Sequence, residues 1–380
     1  MTLRQINYVK LSLALVWIFT SILLIAKLML VADKGGIHVK QWGLLNKGTS
    51  SRTMLRSSKK LHSSSKTVNE DFTPVIIVAY PRSGSTLLGN IVQKSTDVFY
   101  VFEPLWALHE HFFNNTSAIR GHNLEFRRRR PSMTMKYEAD TIFRAWLTCN
   151  TSTLVAKEYR VYKNFLPLGL KTNAATSECL DSIDHPICRA ILRRECLKSK
   201  IRVIKTIRTP IDWLYNLMEE FPTLKILHLV RDPRATANSL WHFDFCGAED
   251  YVVNKERYVK CLQYLCEKMD DDVLSFRIMK EKYKERVHRI YFEDLAMNPN
   301  ATSRKLYETL GIHHDKEIEN YVHMMTNAKE DSVRPLGTYR KNSRLEIDKW
   351  KEQLSDSALY TIQTLCHYSM KNLGYKTIYY

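Results

Sequence analysis

The 380-residue chain has eight cysteines but no Cys-x-x-Cys pair. Cysteines at that spacing are typical of structural zinc sites, so a zinc module is a poor interpretation. No internal repeat is present either, so a repeat architecture is not indicated. All eight cysteines follow residue 140, which fits an oxidising compartment, but their spacing does not determine how they pair.

Acidic residues are scarce relative to basic ones. The chain has 40 Asp and Glu against 57 Lys and Arg, which gives a formal net charge of +17. This balance favours an acidic partner, which can be nucleic acid, anionic lipid or a polyanionic sugar, and charge alone does not choose among them. The length and the 44% hydrophobic content are enough for one large or two ordinary domains with a substantial core.

The N-terminal region lacks a convincing small-x-small cleavage site for a signal peptide. Residues 11–31 form an apolar run whose one charge, Lys27, lies near its end. A bilayer span needs about 20 such residues, so the run predicts a transmembrane signal anchor behind a cytoplasmic tail at 1–10. Residues 32–72 are rich in Ser, Thr, Lys and Gly and predict a flexible lumenal stem. Stable structure is expected over 73–380.

Acceptor sites for N-glycosylation lie at Asn114, Asn115, Asn150 and Asn300. Together with the cysteines they predict that residues 73–380 lie in the lumen. Nucleic acid is therefore not expected as a partner, since binding it would need access to the cytosol.

Apolar runs alternate with helical patterns after residue 73, which favours an α/β domain with a parallel sheet. The region 107–200 is less regular and is expected to hold lid and substrate-binding insertions. The predicted strands are 75–79, 98–102, 201–205, 225–230 and 287–291, and the predicted helices are 84–94, 211–219, 233–242, 254–283 and 302–310.

Residues 75–90, VIIVAYPRSGSTLLGN, are the most informative stretch. A buried strand runs into a short polar loop around Arg82, and an apolar helix begins near Leu87. A strand, a small-residue loop and a helix N-terminus together make an anion site. No Gly-Lys follows Gly84, so the ATPase pattern GxxxxGK[ST] is absent and the nucleotide need not be a magnesium triphosphate. The open alternative is a Ser-rich turn.

Residues 225–240, KILHLVRDPRATANSL, repeat the arrangement. An apolar strand is broken by RDPR, where Pro233 suits the first turn of a helix and Asp232 its cap. Arg231 and Ser239 are candidates to meet a second phosphate, and the alternative is a plain junction with an Asp232–Arg234 pair. Two such loops suggest a nucleotide with phosphates at both ends of its ribose.

In these motifs the chain resembles the Golgi carbohydrate sulfotransferases, in particular those that sulfate the 6-hydroxyl of galactose, N-acetylgalactosamine or N-acetylglucosamine. Cytosolic sulfotransferases usually carry Lys where this chain has Arg82, so the Arg favours the carbohydrate family. Further matching motifs follow the family's order and cover the chain to residue 376: VFYVFEPLW (98–106), VIKTIR (203–208), YFEDLAMNP (291–299), GTYRKNSRLEIDKW (337–350) and NLGYK (372–376).

The resemblance implies a P-loop-like sulfotransferase fold with a central parallel sheet, and PAPS (3′-phosphoadenylyl sulfate) as sulfate donor without a metal. The RSGS loop would contact the 5′-phosphosulfate, the LVRDPR…S segment the 3′-phosphate, and Arg340 would close over the nucleotide. The implied cofactor-binding residues are Pro81, Arg82, Ser83, Gly84, Ser85, Thr86, Leu87, Arg231, Asp232, Pro233, Arg234, Ala235, Thr236, Ala237, Asn238, Ser239 and Arg340.

Two residues are predicted to be catalytic. Arg82 would stabilise the bridging and leaving phosphate oxygens, because sulfuryl transfer resembles phosphoryl transfer and depends on positioning and charge. Glu103 ends a strand and is the predicted general base, since neighbouring parallel strands share one crevice at their carboxyl ends. The alternative for Glu103 is a structural role, in which it caps a helix or pairs with an Arg. His109 and His111 are rival bases.

The predicted acceptor-side residues are Lys205, which ends a strand, His109, and Arg128 within the four arginines at 127–130. The arginine run can instead be a solvated face or a processing site. The alternative for Lys205 is that its side chain faces solvent at the end of the strand.

The expected protein is thus a single-pass type II Golgi membrane enzyme that moves sulfate from PAPS to a sugar hydroxyl. Its acceptor would be a glycosaminoglycan of chondroitin or keratan type or a related glycan, and a homodimer is an open alternative for its oligomeric state. A catalytically silent lumenal lectin that binds polyanions on the same scaffold, and a protein-tyrosine sulfotransferase, are the alternative functions.

Overall fold

Five parallel strands form the centre of the fold, in the order β2-β3-β1-β4-β5. The strand bounds agree with the predicted ones to within two residues, and the predicted α/β class with a parallel sheet is confirmed. The strands are β1 (Thr73–Val78), β2 (Val98–Phe102), β3 (Ile201–Thr206), β4 (Lys225–Val230) and β5 (Val287–Tyr291).

The computed structural model describes residues 72–106, 108, 133–150, 152, 154, 186–242, 251–332 and 337–378. The predicted tail, anchor and nearly all of the stem lie outside these residues. None of the helices in the described ranges is both long and apolar enough to span a bilayer.

Thirteen α-helices are described in these ranges, and most predicted helices are confirmed with shifted ends. Residues 211–219 differ, because they divide into a 3₁₀ turn at Ile211–Leu214 and a short α-helix. The helices are α1 (Ser85–Val92), α2 (Met133–Leu147), α3 (Pro186–Lys198), α4 (Tyr215–Glu220), α5 (Pro233–His242), α6 (Tyr251–Tyr283), α7 (Phe292–Met297), α8 (Pro299–Leu310), α9 (Lys316–Thr326), α10 (Leu345–Asp348), α11 (Trp350–Gln353), α12 (Asp356–Leu365) and α13 (His367–Leu373).

Helices cover both faces of the sheet. Alternate residues of each strand point to opposite faces, so Ile76 and Val78 pack with helix α2 while Val75 and Ile77 pack with α1 and α8. This double burial explains why the strands are almost continuously apolar, which is the pattern of a parallel sheet covered on both sides.

The strand register brings three loops to one edge of the sheet. Phe102 pairs with Lys205, Val78 pairs with both Thr206 and His228, and the strands therefore end side by side. The loops that follow β1, β2 and β4 carry the predicted site residues. The shared crevice expected at the carboxyl ends of these strands is thus present.

Two disulfides lie within the described residues, Cys149–Cys196 and Cys266–Cys366, and they close segments 47 and 100 residues apart in sequence. Each bridge joins a cysteine that stands alone in the sequence to one from a cluster. Spacing could not predict this pairing, because it depends on how helices α2, α3, α6 and α12 pack.

Candidate functional site

The loop after β1 is held in shape by its own backbone. The Ser83 hydroxyl donates to the carbonyl oxygen of Tyr80 at 2.7 Å, and the Ser83 N–H donates to the same oxygen at 3.2 Å. Ser83 is buried and does not line the cavity described below. Both of its donors are used inside the loop, which they stabilise, and its predicted contact with phosphate stays a prediction.

A buried polar cluster anchors this loop from beneath. The Tyr80 hydroxyl donates to Asp272 at 3.1 Å and lies 2.8 Å from Nε2 of His228. The other oxygen of Asp272 accepts the N–H of Ile211 at 2.7 Å, and Lys268 also bonds to Asp272. One carboxylate on α6 thus fixes both the loop after β1 and the segment after β3.

Gly84 is required by its conformation and its surroundings. Its φ is +87°, a region that favours glycine, and a Cβ at this position would collide with the ring of Phe292. Helix α1 begins at Ser85, so the first N–H groups of α1 have no partner within the helix. Gly84 lets the chain turn there, and Ser85, Thr86 and Leu87 of the first turn line the cavity described below.

Arg82 joins the two predicted phosphate segments. It has a φ of +62°, and its Nε donates to the hydroxyl of Ser239 at 3.0 Å. Arg231 in turn donates to the carbonyl oxygen of Arg82 at 3.0 Å. The loops after β1 and β4 therefore meet directly, although they lie about 150 residues apart in the sequence.

Arg231 is buried with part of its donor capacity unused. Its guanidinium stacks 4.3 Å from the ring centre of Phe292 and donates to the backbone oxygen of Glu346 at 2.6 Å. Its Nε is buried and has no hydrogen-bond partner among the described residues. An unsatisfied buried donor costs stability, which a bound anion could recover.

The cationic side chains crowd one another at this edge. Burial, and after it the charges of Arg231 and Arg340, together lower the pKa of Arg82 to about 10, while the charge of Glu346 opposes them. Arg340 is held by its backbone to the end of α9 and lies 3.7 Å from Glu346. The cluster is thus prepared for a ligand with negative charge.

The remaining residues of the second segment are structural. Asp232 caps α5 by accepting the Arg234 N–H at 2.9 Å, and it also pairs with the guanidinium of Arg234. Arg234 stacks over Trp350 at 4.2 Å. Of this segment only Arg231 and Ser239 line the cavity. The intervening residues do not line the cavity, and their predicted contact with the nucleotide stays a prediction: Asp232, Pro233, Arg234, Ala235, Thr236, Ala237 and Asn238.

A second charged cluster follows β2 and β3. Glu103, with a φ of +46°, accepts from Lys205 with one oxygen and from Arg208 with the other. All three side chains are at most 6% exposed. Arg208 also lies over the ring of Trp106 at 4.5 Å. Lys205 is therefore a buried, paired side chain, and the solvent-facing alternative is wrong.

Two cations share one carboxylate in this cluster. Burial alone would raise the pKa of Glu103, but Lys205 and Arg208 outweigh it and lower this pKa to about 2. Burial lowers the pKa of Lys205, and the charge of Arg208 acts in the same direction, while Glu103 opposes them. Glu103 is consequently ionised throughout the neutral range.

Both clusters line one cavity of about 580 Å³. This volume is typical of ligand sites. Within the described part of its lining, six side chains are cationic and three are acidic, so it attracts anions. The predicted lining residues are Pro81, Arg82, Gly84, Ser85, Thr86, Leu87, Glu103, Lys205, Arg231, Ser239 and Arg340, and residues that the prediction missed are Arg208, Phe292, Thr338, Ser343, Glu346 and Lys349.

The missed residues lie inside or beside motifs that were recognised. Arg208 ends VIKTIR, and Glu346 and Lys349 belong to GTYRKNSRLEIDKW. The position of Arg208 was a signal that could have been used. It is a charged residue just after the end of the strand that carries Lys205. No local pattern indicates that Glu346 reaches the cavity.

Several predicted residues are not among the described residues that line this cavity. His109, His111, Arg128, Asn114 and Asn115 lie outside the described residues. Asn150 is exposed and accepts a hydrogen bond from Ser152 at 2.8 Å, whereas the side-chain oxygen of Asn300 is buried near the start of α8. Glycosylation at each position stays a prediction.

Comparison with known proteins identifies the family. A model described as "Sulfotransferase family" matches residues 74–316. Carbohydrate sulfotransferase 1 of Danio rerio is 25% identical, over 80% of this chain and 78% of that protein. Carbohydrate sulfotransferase 5 of Homo sapiens is 23% identical, over 83% and 80%. The resemblance inferred from the motifs is confirmed.

A solved structure, mouse sulfotransferase SULT7A1 complexed with PAP, is 14% identical with a TM-score of 0.40, and the match covers 80% of this chain and 88% of that one.

Proposed function

Because this chain belongs to the sulfotransferase family, we propose that it transfers sulfate from PAPS to a hydroxyl of a carbohydrate. The curated relatives named above are carbohydrate sulfotransferases, and this supports a sugar acceptor. The 6-hydroxyl of galactose, N-acetylgalactosamine or N-acetylglucosamine, in a glycosaminoglycan or related glycan, is the proposed position.

The observation that carries the proposal is the contact between the two anion-binding segments. Arg82 donates to Ser239 across the loops after β1 and β4, beside the first turn of α1. A nucleotide with phosphates on both sides of its ribose needs two such sites within one cavity. Arg231, whose buried Nε has no partner among the described residues, and the loop around Gly84 both line this cavity, and we assign one phosphate to each.

The roles of the residues follow from charge. PAPS supplies a sulfuryl group that the acceptor oxygen attacks, while the bond from sulfur to the bridging oxygen breaks and its electron pair stays on PAP. We assign to Arg82 the stabilisation of the negative charge that develops on the leaving phosphate. Glu103 is assigned to accept the proton of the acceptor hydroxyl.

Glu103 is a weak base because two cations hold it, but it is always ionised. In a loose transition state the attacking hydroxyl loses its proton late, so orientation by the carboxylate matters more than its basicity. Lys205 and Arg208 fix that orientation. Lys205 also lies 4.0 Å from the ring centre of Phe102, which further limits its movement.

We further propose that the catalytic domain lies in the Golgi lumen behind the predicted anchor. The two disulfides Cys149–Cys196 and Cys266–Cys366 support an oxidising compartment. Protease protection of residues 73–380 in intact vesicles tests this placement.

The direct test of the function is transfer of labelled sulfate by the full chain in detergent. Chondroitin, desulfated keratan sulfate, heparosan, GlcNAc-terminated oligosaccharides and a tyrosine peptide serve as acceptors. Label on a glycan that disappears in Arg82→Ala supports the proposal, and disaccharide composition then identifies the position. Label on the tyrosine peptide alone would contradict it. Folded protein that binds PAP and polyanions but labels no acceptor would favour the silent lectin.

A further inference from the structure

Glu346 is an acidic residue of the donor site, by which we mean the part of the cavity that Arg82 and Arg231 line. It lies in α10, and its carboxylate is 3.7 Å from Arg340 and 3.6 Å from Lys349. Its side chain is 20% exposed and lines the same cavity as Arg82 and Arg231. The place where a ligand phosphate is expected thus already contains a negative charge.

The carboxylate is held loosely. Both of its ion pairs are longer than a hydrogen bond, so neither fixes its position. The strong contact of this residue is made by its backbone, because the carbonyl oxygen of Glu346 accepts from Arg231 at 2.6 Å. Replacing the carboxylate by an amide would therefore leave the bond to Arg231 in place.

The electrostatic effect of Glu346 reaches the arginines of the site. Its charge favours the protonated forms of Arg82 and Arg231, which otherwise repel each other and Arg340. A bound phosphate would provide the same compensation. Glu346 and a nucleotide phosphate thus compete for one set of cations, and they also repel each other.

We propose that Glu346 is a resident anion of the donor site, which weakens binding of the nucleotide product and speeds its release. This inference rests on the proposed function, since it requires PAP to bind here. A site with several arginines otherwise risks holding PAP too tightly for turnover, because product release often limits kcat. Glu346 would set the affinity without contacting the reacting atoms.

The experiment is calorimetric titration of PAP into the full chain, comparing wild type, Glu346→Gln and Asp348→Asn. Asp348 is the matched control, because it lies on the same helix and pairs with the exposed Lys351 at 2.8 Å. We expect Glu346→Gln to lower the Kd for PAP about tenfold, and Asp348→Asn to leave it within about twofold. The gain should shrink as salt is raised, because salt screens the repulsion.

An unchanged or weaker affinity of Glu346→Gln for PAP, with wild-type affinity intact, would overturn the inference alone. Failure of folded wild type to bind PAP would instead remove the proposed function and this inference with it. Stopped-flow displacement of PAP adds a kinetic check, since the dissociation rate should fall in Glu346→Gln.

Discussion

The two halves of the cavity hold their charges in opposite ways. After β1 and β4, Arg82 and Arg231 repel each other, and Arg231 keeps an unused buried donor. After β2 and β3, Glu103 is bonded through both oxygens, to Lys205 and Arg208. The first half has more cations than acidic partners, whereas in the second half the carboxylate is already paired. We infer that the donor occupies the first and that the second holds the acceptor hydroxyl.

The largest loss of activity should come from substitution of Arg82 in the first half. Arg82→Ala removes the cation at the phosphate loop, and we expect kcat/KM to fall about 10³-fold. Arg82→Lys keeps the charge but loses the planar fork, so it should retain part of the activity. Sulfate transfer from labelled PAPS measures both. Arg277→Ala on the exposed face of α6 is the control and should be silent.

Breaking the second half should affect turnover and spare the nucleotide. We expect Glu103→Gln to lower kcat about 10²- to 10³-fold, because the proton acceptor is lost. Removing the carboxylate also leaves two buried cations unpaired, so Glu103→Asp is needed as a folded variant that keeps the charge. If folded Glu103→Asp lost PAP affinity as strongly as it lost kcat, the two halves would not be separate.

Gly84→Ala tests the cradle of the first half. The substitution forces a side chain into positive φ and against Phe292, so the free energy of unfolding should fall by about 3 kcal/mol. Gly311→Ala is the matched control, because Gly311 also has positive φ but open space around it. Its cost should be about 1 kcal/mol in the same urea titration. Equal costs would mean that Phe292 does not confine the loop.

A smaller effect is expected when one ion pair of the second half is removed. Arg208→Gln removes one cation from Glu103, so the pKa of Glu103 should rise from about 2 toward its ordinary range. Since ionised Glu103 is the active form, the acid limb of kcat/KM should move to higher pH. Stability that is present above the ordinary pKa should likewise be lost earlier as the pH falls. Profiles from about pH 4 to 8 measure the shift, with the exposed Arg277→Gln as control. Overlapping profiles would contradict the pairing.

Local patterns predicted the parts of the site that belong to a single strand and its loop. The bounds of β2, β4, β5 and α5 agree with the prediction, because apolar runs and Pro233 mark them clearly. The phosphate loop was recognisable for the same reason. The hydrogen bond from the Ser83 hydroxyl to Tyr80 could not be predicted in this way, since it depends on how the loop folds back onto Tyr80.

Contacts between distant segments could not be predicted from the sequence. The bond from Arg82 to Ser239 and the pairing of Arg208 with Glu103 each join residues more than 100 positions apart. The same holds for Glu346, which reaches the donor site only because α10 packs beside α5 and α7. Strand order and helix packing decide such contacts, and no local period encodes them.

The separation of donor and acceptor halves is tested most directly by titrating PAP into wild type, Arg231→Ala and Glu103→Asp. We expect Arg231→Ala to weaken PAP binding at least about tenfold, because the proposed buried partner of a phosphate is lost. Glu103→Asp should bind PAP as wild type does while its kcat falls. Wild-type affinity in Arg231→Ala, or loss of PAP binding in folded Glu103→Asp, would contradict the assignment of the two halves.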